Sequence, residues 1–217
     1  TDDYLNSVFF EMFGDPGKNE KNWAIKTLGD CCISKPEYGS GSSSIDFNPD
    51  LPRYIRITDI DEYGNLKQNS KASPSKVEEK YALHEGDFLF ARSGATVGKT
   101  YLHSEKNDPA LYAGYMIRFK PNKEILNPFF LFYFTRTKYY WGWIRSKKKV
   151  VAQPNINAKQ YSQEMKILIP PIQLQNKFAE IVEHVQKIKE YQNNLKHHIY
   201  NLFNVLVQKA FRGELVC

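Results

Sequence analysis

The chain has 217 residues, enough for one sizeable domain and an accessory element, and its 41% hydrophobic and 14% aromatic content excludes a disordered polymer. Its net charge of +6 and pI near 9.0 favour a polyanionic partner. No apolar run approaches the roughly 18 residues of a membrane span, no signal peptide is visible, and the cysteines (Cys31, Cys32 and Cys217) include an adjacent pair that rarely bridges, so we expect a soluble, cytoplasmic protein without membrane partners.

The first predicted element is a short apolar helix from Tyr4 to Phe13, ended by Gly14-Asp15-Pro16. A helix of this length is not stable alone in water, so it must pack against another part of the protein. We therefore predict that residues 1–18 form a helical segment that packs against a helical layer.

Short β-rich runs separated by Gly, Asn, Asp and Pro clusters occupy the middle of the chain and predict a globular domain over residues 19–169. The loop Gly39–Ser44 (GSGSSS) has a composition typical of a flexible segment. Asn127 to Tyr140 reads as one amphipathic helix opened by Asn-Pro. The predicted strands are Arg53–Ile60, Asp87–Arg92, Lys99–Leu102, Ala113–Lys120 and Met165–Ile169.

A long helix is predicted over residues 170–217, from Pro170-Pro171 to a stop at Phe211-Arg212-Gly213. Apolar residues recur mostly at alternating steps of four and three, as in a coiled coil, with the polar Gln192 at one position of the seam. About 38 residues would make a rod roughly 55 Å long that needs a partner helix from this chain or another. The predicted apolar interface positions are Phe178, Ile181, Val185, Ile188, Leu195, Ile199, Leu202 and Leu206.

Positive charge is concentrated in residues 125–171, where eight basic residues stand against one acidic residue, a balance of +7. Two tryptophans precede Lys147–Lys149 and polar amides follow it, a pattern that favours nucleic-acid binding. We predict phosphate contacts from Lys99, Arg145, Lys147, Lys148 and Lys149. For base edges we predict Gln153, Asn155, Asn157 and the Gly39–Ser44 loop, including Ser42 and Ser43.

Three motifs approach enzyme signatures without completing them. Gly94–Thr100 is one residue short of a phosphate-binding loop and precedes a predicted strand, so a hairpin is the better interpretation. Asn127-Pro128-Phe129-Phe130 lacks the second proline of an adenine methyltransferase loop, and a helix start explains it better. Asp50 with Glu78-Glu79-Lys80 resembles a Mg²⁺-dependent nuclease signature but lies in a polar stretch. We expect no catalytic residue, no metal site and no cofactor.

In order along the chain, several segments resemble the specificity subunit of type I restriction–modification systems. The opening Trp23-x4-Leu28-Gly29-Asp30 and the strand Leu51–Ile60 (LPRYIRITDI) resemble parts of its target recognition domain. The hairpin Glu85–Lys99 (EGDFLFARSGATVGK) is similar to its most recognisable segment. Gln153–Asn157 (QPNIN) and Ile169–Gln175 (IPPIQLQ) resemble the domain's end and the start of its conserved helix, although Gln173-Leu174-Gln175-Asn176 lacks the acidic residue more often found before the glutamine.

This resemblance implies a non-catalytic subunit that chooses the DNA sequence. Family members carry two recognition domains separated by two antiparallel conserved helices. Each domain reads one half of a split double-stranded DNA site, and the helical region holds methyltransferase subunits and, through them, the restriction subunit. A chain with one domain and one long helix is then a half-sized subunit that forms a homodimer, or one half of a longer protein that pairs with a second half.

Two other classes of function remain open at this point. The first is a nucleic-acid-binding adaptor without sequence preference, which uses the long helix to oligomerise. The second is a Mg²⁺-dependent nuclease. The adaptor would bind all duplexes similarly at fixed salt, whereas the nuclease would depend on Mg²⁺.

Overall fold

A computed structural model describes residues 2–148 and 154–212 of the chain. It confirms the α+β class, with a short N-terminal helix and a long C-terminal one. Within the described residues, no helix is long and apolar enough to cross a membrane. The helices are α1 (Asp2–Phe13), α2 (Pro128–Phe134), α3 (Lys138–Lys148), α4 (Ala158–Glu164) and α5 (Ile172–Phe211).

The strands form small sheets around a four-stranded antiparallel sheet. They are β1 (Ala24–Thr27), β2 (Glu37–Tyr38), β3 (Ser44–Asp46), β4 (Arg53–Ile55), β5 (Ala72–Pro74), β6 (Phe88–Ala91), β7 (Thr100–Leu102), β8 (Ala110–Tyr112), β9 (Met116–Phe119) and β10 (Lys166–Ile169). The central sheet has the order β2-β9-β6-β7, and the remaining pairs are antiparallel β1–β10, antiparallel β3–β5 and parallel β4–β8.

Strand β6 lies in the middle of the fold and supplies two separate apolar cores. Its side chains alternate between the two faces of the sheet, as the two-residue period of a strand requires. Phe88 and Phe90 join the core beneath the helices, whereas Leu89 and Ala91 join a second core with Tyr112. All four β6 residues are buried, so this strand fixes the position of the turn that follows it.

An aromatic cluster joins both ends of the chain to the globular domain. Phe9 and Phe13 of α1 pack against Phe130 of α2 and Phe178 of α5, with ring centroids 4.8–5.6 Å apart. All four side chains are buried. Such ring pairs add about 0.5–1.5 kcal/mol each beyond the area they bury. The short helix α1 is therefore held by tertiary packing.

Gln175 joins the start of α5 to the domain through its buried side chain. Its Oε1 accepts a hydrogen bond from the Asn127 backbone N–H at 2.9 Å, and its Nε2 donates to the carbonyls of Ile125 and Pro170 at 3.0 and 2.8 Å. Each buried amide atom thus has a partner, as burial of polar groups requires. The first turn of α5 is fixed relative to α2.

The prediction of a single helix from Asn127 to Tyr140 is wrong after its first half. Asn127 begins α2 as expected, because its side chain accepts from the Phe129 N–H. The helix then ends at Phe134, and α3 begins at Lys138. Thr137 lies in the break, where its hydroxyl donates to the Phe134 carbonyl and accepts from the Tyr140 N–H. Threonine hydroxyls compete in this way with helix continuation.

The predicted strand Arg53–Ile60 is also shorter than expected, because it ends at Ile55. Arg56 and Asp59 form a turn in which the Arg56 backbone N–H and guanidinium donate to the buried Asp59 carboxylate at 2.8–3.1 Å. That hydrogen bond raises the pKa of Arg56 even though burial opposes it. The second half of the predicted strand is therefore a turn that the Arg56–Asp59 ion pair stabilises.

The predicted seam of α5 divides into two parts. Phe178 is buried, and Ile181 and Val185 pack partly buried against the domain core, so the domain itself covers the first part. From Ile188 onward the large apolar side chains are exposed, except that of Val207, which is half-buried. Gln192 lies in this exposed part. The exposed apolar residues are Ile188, Tyr191, Leu195, Ile199, Tyr200, Leu202, Phe203, Val205, Leu206 and Phe211.

Candidate nucleic-acid interface

The turn between β6 and β7 is the centre of the candidate interface. Gly94 and Gly98 adopt positive φ angles of +68° and +93°. A residue with a side chain would be strained in this backbone conformation. A short 3₁₀ turn spans Gly94–Thr96 and leads into β7 rather than into a helix. Among the described residues, this turn therefore lacks the helix N-terminus that a phosphate-binding loop requires.

Residues 154–156 run alongside this turn and are hydrogen-bonded to it. The Gly94 N–H donates to the Pro154 carbonyl at 3.1 Å, and the Ile156 N–H donates to the Arg92 carbonyl at 2.9 Å. Asn155 faces Ser93 in an antiparallel bridge. Gly94 and Pro154 are 60 residues apart in the sequence. The two segments that contain them thus form one surface.

Helix α3 packs over the base of the same turn. Tyr140 Oη donates to the Gly98 carbonyl at 2.7 Å. A β-carbon at Gly98 would lie 3.0 Å from Ile144, so glycine permits this close approach. On its other side, α3 reaches α4, where Trp143 stacks near Tyr161 with ring centroids 5.4 Å apart. The basic end of α3 is therefore held beside the turn and α4.

The predicted phosphate-contact residues differ in their surroundings. Arg145 is exposed and Lys148 is half-buried, and neither has a carboxylate partner within the described part of the chain. Lys147 forms an ion pair with Glu164. Lys99 is half-buried, and its ammonium group donates to the Ile60 carbonyl at 3.1 Å. Lys149 lies outside the described residues. Arg145 and Lys148 are consequently the members of this set whose charge has no partner among the described residues, and phosphate contact remains a prediction for the whole set.

The predicted base-contact amides are partly engaged in structural contacts. Asn155 is exposed, and its Oδ1 accepts from Arg92 Nε at 3.4 Å. Asn157 forms a capping box with Gln160 at the start of α4. A bidentate adenine contact by Asn157 would need the same oxygen that makes this cap. Gln153 lies outside the described residues. Contact with bases remains a prediction for these amides.

The Gly39–Ser44 loop has more fixed contacts than its composition indicates. Tyr54 Oη lies 2.8 Å from the Ser40 carbonyl and 3.0 Å from that of Ser42. Ser42 Oγ accepts from the Lys76 backbone N–H at 3.0 Å. The loop therefore has defined contacts in the structure, and its flexibility remains a prediction. Ser43 remains exposed at the loop surface.

Three residues of this surface escaped the sequence analysis: Tyr38, Arg92 and Tyr115. The Arg92 guanidinium lies 4.7 Å from the centre of the Tyr38 ring. Tyr38 Oη also accepts from the Ala158 N–H at 3.1 Å. Tyr115 is 63% exposed, and its carbonyl accepts from the Arg92 N–H at 3.0 Å. These three residues are far apart in the sequence, so no motif with a fixed spacing could have identified them as one group.

The buried arginine of this region has a structural role. Arg118 forms ion pairs with Glu37 and Asp87, and its Nη1 donates to the Ala82 carbonyl at 2.7 Å. Burial is the largest single influence and lowers the pKa of Arg118, but the hydrogen bond to Glu37 and the charge interactions with Tyr112, Asp87 and Glu37 together raise the pKa. This guanidinium is therefore committed to holding β2 against β9.

The nuclease-like residues do not assemble a metal site within the described residues. Glu79 and Lys80 belong to a 3₁₀ turn. Glu78 instead accepts from the Ser40 hydroxyl at 3.4 Å and pairs with Lys80. Across residues 2–148 and 154–212, no group of three His, Cys, Asp or Glu side chains is placed to hold a metal ion.

Comparison with known proteins gives a consistent family. Residues 20–201 match the model of the type I restriction modification DNA specificity domain. The chain is 27% identical over 176 residues to the type I restriction enzyme EcoKI specificity subunit of Escherichia coli K12, covering 74% of this chain and 37% of that protein. It is 30% identical over 133 residues to the putative type I restriction enzyme MjaX specificity subunit of Methanocaldococcus jannaschii, covering 59% and 29%.

Solved structures share the fold. The type I restriction–modification system S subunit from M. genitalium superposes with a TM-score of 0.61 at 17% identity, covering 96% of this chain and 53% of that one. A chain from a study of complex assembly and conformational transition of the type I R-M system gives 0.58 at 20% identity, with 98% and 52% covered. The chain thus spans about half the length of these structures and about a third of the curated relatives. The family predicted from the sequence is confirmed: this chain belongs to the type I restriction–modification DNA specificity domain family.

Proposed function

We propose that this chain recognises one half of a bipartite double-stranded DNA target for a type I restriction–modification complex and performs no catalysis itself. The observation that carries this proposal is the surface formed by the β6–β7 turn, residues 154–157 and the basic end of α3. It combines cations such as Arg145 and Lys148, which suit phosphates, with amide and aromatic groups, which suit base edges.

The exposed part of α5 supports pairing with a second half. A helix of 40 residues is about 60 Å long, and the domain covers only its first few turns. A second copy packed on this stripe would bury the exposed leucines and isoleucines through a two-fold, self-complementary interface. Two chains of this length would also match the size of the S subunits with which it superposes.

The breadth of the stripe supports an additional partner. Tyr191, Tyr200 and Phe203 are exposed beside the predicted seam, so the apolar surface is wider than a two-stranded coiled coil requires. We assign the remaining surface to a methyltransferase subunit, which would in turn contact the restriction subunit. Co-expression with the cognate modification subunit would yield a stable complex, and substitution of Tyr200 and Phe203 by serine would dissociate it. Retention of the complex by that variant would exclude this docking surface.

A two-fold protein predicts an inverted-repeat target whose spacing is fixed by the helices. Selection from randomised DNA duplexes by the full chain tests this directly. We expect enrichment of two inverted half-sites separated by a constant, non-specific gap. Equal binding to all duplexes at fixed salt would instead favour the adaptor, and Mg²⁺-dependent cleavage would favour the nuclease.

The salt dependence of binding provides an independent readout of phosphate contacts. Replacing Lys148 by alanine should weaken all duplexes uniformly and reduce the slope of log K against log salt by about one, because one phosphate contact is lost. Replacing Lys147 is the matched control, since Glu164 already neutralises its charge. Equal slopes for both variants and the wild type would contradict the assignment of Lys148.

A further inference from the structure

Arg92 differs from the other buried or half-buried arginines of the domain. Those side chains use their Nη atoms for contacts within the protein; they are Arg53, Arg56, Arg118 and Arg136. Arg92 Nε donates to Asn155 Oδ1 at 3.4 Å. Within residues 2–148 and 154–212, neither Arg92 Nη has a hydrogen-bond or carboxylate partner. Its terminal donors are therefore available to a ligand.

The position of Arg92 is nevertheless well defined. Its backbone N–H donates to the Tyr115 carbonyl at 3.0 Å, and its carbonyl accepts from the Ile156 N–H at 2.9 Å. Its guanidinium carbon Cζ lies over the Tyr38 ring, 4.7 Å from the ring centre. An arginine held by stacking and by its Nε loses little further conformational freedom when it binds a ligand.

The free Nη pair has the geometry of a bidentate donor. With Nε engaged, the two Nη atoms present parallel N–H groups, which match either the O6 and N7 acceptors of guanine or two oxygens of a phosphate. The surroundings favour guanine, because the exposed Tyr38, Tyr115 and Asn155 supply aromatic and amide groups rather than further cations. Arg145 and Lys148 on α3 are the more accessible candidates for the phosphates.

We propose that Arg92, oriented by Tyr38 and Asn155, determines specificity by donating from its Nη atoms to O6 and N7 of a guanine in the half-site. Tyr38 and Asn155 are positioning residues in this arrangement. The inference rests on the proposed function, because it assumes that the surface around the β6–β7 turn enters the DNA major groove.

The test compares the DNA preference of the full wild-type chain with that of Arg92→Lys, which keeps the charge but loses the fork. Both are used for selection from randomised duplexes and for equilibrium binding. The wild type should require guanine at one position of each half-site. Arg92→Lys should lose about 5- to 150-fold of the discrimination at that position and keep the other preferences. Arg212→Lys, at an exposed arginine following the C-terminal end of α5, is the matched control and should leave every preference unchanged.

A duplex with 7-deazaguanine at the selected position examines the contact at the atomic level, because it lacks the N7 acceptor. Wild-type affinity should fall for this duplex, and Arg92→Lys should show no comparable fall. Tyr38→Ala and Asn155→Ala should weaken discrimination at the same guanine, whereas Tyr38→Phe, which keeps the ring, should retain it.

The outcomes separate this inference from the proposed function. A wild-type chain without any sequence preference would overturn both. A wild type with a split site and an Arg92→Lys variant with the same preferences would overturn only the guanine contact. Uniform weakening of all duplexes by Arg92→Ala, with a lower salt slope and unchanged base preferences, would identify a phosphate contact and also overturn it.

Discussion

At the scale of single residues, polar groups whose donors and acceptors are used within the fold differ from polar groups with unused donors. Arg118 and Gln175 are buried, and their side chains join elements of the domain through hydrogen bonds and, for Arg118, ion pairs. Arg92 and Lys148 retain donors that the described protein does not use. All four residues are polar or charged in the sequence, so residue type does not separate a structural role from an available donor. Only the hydrogen-bond and ion-pair partners in the structure do so.

The first residue-scale prediction concerns Gln175. Replacement by alanine leaves the Asn127 N–H and the Ile125 and Pro170 carbonyls without their partner, so we expect a loss of about 1–3 kcal/mol in the free energy of unfolding. Urea unfolding followed by tryptophan fluorescence measures it. Gln173→Ala, two residues away on the exposed side, is the control and should change little. Equal effects of the two substitutions would contradict the role of Gln175.

The second concerns the pH dependence of stability through His103. Burial lowers the pKa of this imidazole below its usual 6.5, and Tyr101 Oη lies 3.2 Å from its Nδ1. The unfolded chain therefore binds a proton more readily than the folded one. The contribution of His103 to stability is complete above about pH 6.5 and is lost as the pH falls toward the folded pKa.

Unfolding midpoints measured between about pH 7.5 and pH 5 test this prediction. Wild-type stability should decrease with acidification, and His103→Gln, which cannot titrate, should show a smaller decrease. Parallel pH profiles for the two proteins would show that His103 does not contribute to the dependence.

At the scale of elements, features encoded in a short stretch of sequence were predicted, whereas element ends that depend on tertiary contacts were not. The Asn127-Pro128 start of α2 and the period of α5 are properties of short sequence windows, and both were predicted. The break at Thr137 and the end of β4 at Ile55 depend on side-chain partners within the fold. The apolar period of α5 is the same along the helix, so it does not predict that the domain covers Phe178 and leaves Leu195 exposed.

The same limit applies to the candidate site. The basic run on α3 and the amides near Asn155 could be selected from residue type alone. Arg92 could not, because its partners Tyr38 and Asn155 lie 54 and 63 residues away in sequence. The site forms only when the β6–β7 turn brings these segments together.

The packing of α3 on the β6–β7 turn gives an element-scale prediction. Gly94→Ala and Gly98→Ala both place a side chain at positive φ, which costs about 1 kcal/mol. Only at Gly98 would the new β-carbon meet Ile144, at 3.0 Å, whereas at Gly94 it meets nothing within 4 Å. Gly98→Ala should therefore be more destabilising by about 1–2 kcal/mol. Thermal unfolding measures the difference, and equal losses would contradict the close contact.

The exposed part of α5 gives a second prediction at the scale of elements. Ile199→Asp should raise the dissociation constant of the proposed dimer at least about tenfold, because a charge would be placed in its apolar interface. Its effect on the unfolding of the globular domain should be small. Asn194→Asp, an exposed substitution of the same final charge outside the predicted seam, is the control. Sedimentation velocity across a concentration series distinguishes them, and an unchanged dimer for Ile199→Asp would exclude this stripe.

At the scale of the whole molecule, the globular domain carries the candidate nucleic-acid interface and covers the start of α5, whereas the apolar stripe from Ile188 onward is exposed. The domain holds the first turns of α5 through Phe178 and Gln175, so the direction of the helix is fixed relative to the β6–β7 turn. A second half paired along the helix would then place two recognition surfaces at a constant separation. This rigid connection is what a split DNA target with a fixed gap requires.

The most direct test of this account is the mass of the protein–DNA complex, measured by light scattering with duplexes carrying both half-sites, one half-site or neither. With both half-sites we expect two chains of 25.3 kDa on one duplex. Mutation of one half-site should weaken this complex strongly, and changing the gap by a few base pairs should do the same. One chain per duplex at every concentration, or equal binding to duplexes without half-sites, would contradict the account.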